Sequence, residues 1–131
     1  MKINQYSGID HIEKEAKKDY IDRHSPFIYC DDTMEKGKKN YVKVQVGKEY
    51  THPDDFDHYI HKVALFDGER LLGEAIIPAG TLGNQSEQLE VTFSVVPKRK
   101  MKLTALAYCT KHGVWQSEEK VVAVESTSDF L

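Results

Sequence analysis

Hydrophobic positions recur with two different periods along this chain, and the change falls near Pro26. From Ile9 to about Tyr20, the residues Ile9, Ile12, Ala16 and Tyr20 return at helical spacing, with Ser7 or Asp10 available as N-cap and Arg23 and His24 beyond the end. This predicts one short amphipathic helix. After Pro26 the period becomes two. The runs YVKVQV (41–46), HYIHKVALF (58–66), LLGEAIIP (71–78), QLEVTFSVV (88–96), KLTALAYC (102–109) and KVVAVE (120–125), together with PFIYC (26–30), are rich in β-formers and bounded by turn residues. About seven strands at this spacing predict an all-β fold, an antiparallel β-sandwich preceded by a short N-terminal helix. FDGER (66–70) predicts a hairpin on Asp67-Gly68, and PAGTLGNQS (78–86) a longer loop. No repeat, low-complexity tract or linker divides the 131 residues. The expectation is one domain over 1–131, with a helix and active-site loop over 1–23 and the sandwich over 24–125.

Charge narrows the partners. The net charge is −3, and the clusters KEAKK, EKGKK and PKRKMK alternate with acidic stretches instead of forming one basic field, which argues against nucleic acid. No apolar run approaches the ~20 residues needed to span a bilayer, and MKINQYSGID has no apolar leader core, so the expectation is a soluble, cytoplasmic protein. The two cysteines, Cys30 and Cys109, are too few for a disulfide framework or a four-thiolate metal centre. Any metal here must draw most of its ligands from histidine.

Six histidines are available. His11 in the helix and His61 within a strand have ordinary readings as solvated or packed imidazoles. His24, His52, His58 and His112 fall at strand ends or in turns. In a continuous strand His52 and His58 would share a face yet lie roughly 20 Å apart; the intervening PDDFD instead predicts a turn that folds the segment back. Cys109 and His112 would occupy opposite faces of an extended chain, but Gly113 supports a tight loop that joins them. Singly, each pair is an ordinary strand end. Gathered at one end of a sandwich, they offer four imidazoles and one thiolate. Structural zinc would leave one donor unused and blue copper needs only two histidines, whereas five donors suit ferrous iron with a sixth position open. Tyr59, Tyr108 and Trp115 are expected to pack around such a site, and Cys30 to be a free thiol.

The segments RHSPFI, VGKEYTHPDDFDHYI and YCTKHGVW together resemble the superoxide reductase family, in its single-iron, neelaredoxin-like form related to the iron-site domain of desulfoferrodoxin. The shared pattern is a His-x-Pro, a Val-Gly-Lys-Glu strand leading to His-Pro, a His six residues on, and Cys-x-x-His-Gly-x-Trp, in that order across His24 to Trp115. The N-terminal helix and the LLGEAIIPAGTLGNQSEQ region lie outside it. The resemblance implies an immunoglobulin-like sandwich holding one iron per chain, with His24, His52, His58 and His112 equatorial and Cys109 axial. It also implies one-electron reduction of superoxide to hydrogen peroxide, a rubredoxin-like electron donor, and a homodimer or homotetramer. The two-iron members carry four further cysteines, which this sequence lacks. Where the family commonly has Glu-Lys before the first histidine, this chain has Asp22-Arg23. The resemblance assigns Asp22 to the sixth position and Arg23 to superoxide steering. Arginine keeps the steering charge but stays protonated, leaving ordered water or another cation, Lys48 or Lys111, to assist. An alternative for the same fold is a non-catalytic iron electron carrier or redox sensor; a sandwich-type interaction module with unrelated histidines is a further one.

Overall fold

The computed structural model describes residues 2–83 and 87–126. The single predicted helix is two: α1 (His11–Ala16) and α2 (Lys18–His24), broken at Lys17, whose φ of −121° and ψ of 35° leave the helical region. Asp10 is the N-cap of α1, its Oδ1 accepting from the Glu13 N–H at 2.7 Å. The buried face also differs from the one that periodicity picks out. Ile12 is 82% exposed, while Ile21 and His24 are buried. The helix therefore continues past Tyr20 because packing of its last turn holds it, and it stops at Ser25 before Pro26.

Ten strands occur among the described residues. β2 (Pro26–Tyr29), β4 (Asn40–Val46) and β7 (Leu89–Val95) form a three-stranded antiparallel sheet in the order β2-β4-β7. In the larger sheet the hub is β8 (Met101–Cys109). One edge of β8 pairs with β5 (Ile60–Asp67), which pairs in turn with β6 (Arg70–Ile76) across the Asp67-Gly68 region. β8 also pairs with β9 (Gly113–Gln116) and β10 (Lys120–Glu125). Two short strands without a sequence signal complete this sheet: β1 (Ile3–Gln5) beside β9 and β3 (Thr33–Glu35) beside β10, both parallel to their partners. They are three-residue pairings that depend on a neighbour to exist. The expected loop at 78–86 is turn through residue 83, and 84–86 lie outside the described residues. No helix among the described residues is long and apolar enough to cross a membrane.

The core lies between the sheets and follows the period of two. Val42, Val44 and Val46 of β4 meet Val63 and Leu65 of β5, Leu103, Ala105 and Ala107 of β8 and Val122 of β10, all essentially inaccessible. Burial of each larger aliphatic side chain is worth about 1.5–3 kcal/mol. On β8 the inward positions are Met101, Leu103, Ala105, Ala107 and Cys109. The same alternation that builds the core thus carries the Cys109 sulfur onto its inner face at the strand's last residue. Register then collects the histidine-bearing ends: Pro26 pairs with Val46, Ile60 with Cys109, and Cys109 with Gly113. The residues just before β2, after β4, before β5 and after β8 consequently meet at one end of the sandwich.

Candidate metal centre

Each side chain of the cluster reaches it by a local device. Cys109 ends β8 and is 5% exposed. The turn after it is closed by Gly113 at φ +79°, which favours glycine, and the His112 N–H donates to Cys109 Sγ at 3.3 Å. His24 is the last residue of α2 and 1% exposed, not a loop residue; the Ser25 hydroxyl, donating to the Ile21 carbonyl at 2.7 Å, fixes that turn. His52 precedes Pro53, which biases it to extended backbone. His58 closes the PDDFD turn: its N–H and carbonyl exchange bonds with Asp55 at 3.0 and 3.1 Å, and β5 starts only at Ile60. The predicted reversal between His52 and His58 is therefore present.

The donor atoms of His24, His52, His58 and Cys109 all lie within 4.8 Å of one another. His112 joins them: its Nδ1 is 3.2 Å from His24 Nε2, 3.2 Å from His58 Nε2 and 3.9 Å from Cys109 Sγ. The four imidazoles form a near-square. Ring centroids around its sides are 4.7 Å (His24 to His52), 4.6 Å (His52 to His58), 4.9 Å (His58 to His112) and 4.9 Å (His112 to His24), with neighbouring planes at 74–88°. The diagonal from His24 to His58 is 6.2 Å, with those planes at 28°. Cys109 Sγ approaches His52 Nε2 at 3.3 Å.

This donor set fits a metal on chemical grounds. His24 Nδ1–H is directed at the Tyr20 carbonyl and His52 Nδ1–H at the Pro53 carbonyl, both at 2.7 Å, so each neutral ring turns the lone pair of Nε2 inward. Lone pairs of several imidazoles facing one another and a sulfur repel unless a cation or proton lies between them. Protonation is opposed. Burial first, and then the charges of neighbouring histidines, push His24 down to about 4 and His52 to about 3, against only partial compensation from the carbonyl bonds. His58 is also held low, by burial and by the charges of His112 and Lys111. His24, His52 and His58 are therefore neutral and ready to ligate at pH 7. Cys109 supplies a soft donor and the imidazoles borderline ones, a combination suited to iron, zinc or copper and poorly suited to calcium or magnesium.

A pH dependence follows for the metal-free protein. The folded values of His24 and His52 lie below the ordinary 6.5, so between that value and about 3–4 the unfolded chain binds more protons. Their neutral burial costs nothing above pH 6.5 and becomes progressively destabilising as pH falls towards 4. Thermal melts of metal-free protein should therefore drop steadily from pH 7 to pH 4, with a shallower slope in His52→Gln; a flat profile would contradict the neutral assignment.

Three other predicted site residues stand outside the ligand cluster. Asp22 Oδ2 accepts from the backbone N–H groups of Lys48, Glu49 and Tyr50 at 3.0, 3.0 and 2.9 Å. Arg23 bonds the Asp19 carboxylate at 3.0 Å and its carbonyl at 3.1 Å. Lys48 Nζ lies 5.8 Å from the Phe27 ring centroid. His11 is exposed at the start of α1, and His61 packs edge-on to Tyr108. Cys30 is a half-buried free thiol.

The surrounding aromatics are the expected Trp115 and also Tyr20, which the sequence places only on the apolar helix face. Trp115 stacks on His24 at 5.2 Å and donates its indole N–H to the His112 carbonyl at 3.1 Å. Tyr20 packs against His24, His112 and Trp115. The signal for its place at the site is its position four residues before His24 on a helix, which puts its carbonyl in reach of that ring. Asp54 is likewise unforeseen: buried, it accepts from the Gly80 N–H at 3.1 Å and the Leu82 N–H at 2.7 Å, anchoring the segment after His52.

Known proteins are similar to this chain in sequence and fold. The chain is 32% identical to the superoxide reductase of Pyrococcus furiosus over 74% of its own length and 86% of that protein. It is 26% identical to the neelaredoxin of Megalodesulfovibrio gigas over 76% of its length and 87% of the relative. The structure of the superoxide reductase (neelaredoxin) from Ignicoccus hospitalis superposes with a TM-score of 0.70 at 25% identity, covering 94% of this chain and 95% of that one. The Desulfoferrodoxin family matches residues 12–118, a span that encloses all five converging side chains, and the chain is thereby a member of the superoxide reductase family.

Proposed function

We propose that this protein is a superoxide reductase in which His24, His52, His58, His112 and Cys109 would hold one non-haem iron. The observation that carries this reading is the near-square of four imidazoles with a buried thiol beside it. When bound, iron supplies one electron by passing from the ferrous to the ferric state. Superoxide takes that electron and two protons to become hydrogen peroxide, and no dioxygen is released.

The chain's own groups shape this chemistry. Ferrous iron with one thiolate and four neutral imidazoles keeps a net positive charge, which favours a small anion. Burial of His24 and His52 preserves that balance by keeping them unprotonated. The Tyr20 and Pro53 carbonyls fix ring orientation and raise the basicity of the inward nitrogens. The Cys109 thiolate would add electron density to a bound metal. Arg23 is tied to Asp19, so Lys48 and Lys111 carry more of the steering; Lys111 already acts on His58. An external one-electron donor of rubredoxin type, in the cytoplasm, returns the electron.

The test is a stoichiometry. Reduced, iron-loaded protein mixed with a limiting pulse of superoxide should yield one hydrogen peroxide for each superoxide consumed, without dioxygen. One peroxide for every two superoxides, with dioxygen evolved, would mean dismutation and defeat the reading.

A further inference from the structure

The Asp22 carboxylate joins two elements that carry different histidines. It projects from α2 two residues before His24, and the three amides that it accepts, from Lys48, Glu49 and Tyr50, belong to the loop leading to His52. Three consecutive N–H groups converging on one carboxylate oxygen form a compact anion nest, with charge-assisted bonds. A second, independent feature shows how closely the loop docks there. Gly47 has φ +83°, its N–H donates to the Ser25 carbonyl at 2.9 Å, and a Cβ added to it would collide with the Tyr50 carbonyl and lie 3.5 Å from the Arg23 Cα. The backbone of loop 47–50 is thus tied to residues 22–25 on both sides of His24.

We propose that Asp22 is a positioning residue: by stitching loop 48–50 to the end of α2 it sets the spacing between His24 and His52, and it does so in place of ligating the metal. The inference rests on the proposed metal site and deepens it. Asp22 Oδ2, which satisfies three amides, cannot leave them for a metal without orphaning those donors.

Asp22→Ala and Asp22→Asn test this with three readings. The first is amide hydrogen exchange at Lys48, Glu49 and Tyr50 in metal-free protein, and the second is Co(II) affinity by competition with a chelator. The third is azide affinity of the ferric protein, measured per bound iron. The proposal expects Asp22→Ala to speed exchange at those amides about tenfold or more. It also expects Co(II) affinity to fall by about 10–100-fold, the usual loss for an outer-shell partner, and azide affinity to stay unchanged. Asp22→Asn keeps an acceptor oxygen without the charge, so it should fall between; it carries the test if the alanine variant does not fold. Unchanged exchange overturns the clamp, and faster exchange with unchanged Co(II) affinity overturns its coupling to the metal. Tighter azide binding in the variants would make Asp22 itself a ligand and overturn the proposal. Should wild-type protein take up neither iron nor Co(II), the proposed function and the metal half of this inference both fall, whereas the exchange result still decides the clamp.

Discussion

Cys109→Ser should fold, bind iron far more weakly, and lose the visible thiolate-to-ferric charge-transfer band of the oxidised protein altogether. The substitution is nearly isosteric. Cys109 is the fifth inward position of β8, in the same buried cluster as Ala105 and Ala107. A serine hydroxyl there can still accept the His112 N–H that Sγ accepts now, so no buried donor is orphaned. The metal loses more. A neutral hydroxyl would replace a polarizable anion, removing both the charge that would offset the cation and the electron donation of the sulfur. The superoxide rate should therefore fall by more than about a hundredfold, beyond the 10–100-fold typical of an outer-shell loss. Electronic absorption of oxidised protein and pulse radiolysis of reduced protein check the two halves. A band that survives in the variant would assign the absorption to another group and remove Cys109 from the proposed ligand set.

The second large effect separates two histidines that occupy one square but differ in burial. His24 fills space among Tyr20, Trp115 and His52, with its Nδ1–H committed to the Tyr20 carbonyl, whereas His58 sits at the partly exposed rim on a turn held by its own backbone. Truncating His24 to alanine removes a ligand and also leaves a void beneath two aromatic rings. Metal-free His24→Ala should lose about 2–3 kcal/mol, the lower part of the range for large-to-small changes at buried sites. For a domain of this size that corresponds to roughly 10 °C in melting temperature. Metal-free His58→Ala should lose about 0.5 kcal/mol or less. Both should fall well short of one iron per chain. Calorimetry of metal-free protein with metal analysis of the iron-loaded forms measures each part; equal destabilisation by the two variants would contradict the packing role given to His24.

Much of this was legible in the residues because period-two patterning acts locally. The inward run from Met101 to Cys109 can be read without coordinates, and it places the sulfur on the core face. Pro53 and the paired aspartates announce the reversal that brings His52 and His58 to a 4.6 Å ring separation, and Gly113 the turn that returns His112 to Cys109. What was not legible depends on distant neighbours. The end of α2 is set by burial of Ile21 and His24, which no helical periodicity over 9–20 contains. The parallel pairings of β1 with β9 and β3 with β10 join segments far apart in sequence. Asp22 is the sharpest case. Its place before His24 suggests a ligand, yet its Oδ2 is spent on amides 26 to 28 residues further along, a destination that depends on the register of β2 on β4.

The central claim is a single iron among four imidazoles and one thiolate, and X-ray absorption at the iron edge of reduced, iron-loaded protein reads it most directly. The account predicts about one iron per chain with four imidazole nitrogens and one sulfur in its coordination shell. A shell without sulfur, or one with fewer than four histidine nitrogens at full iron occupancy, would contradict it.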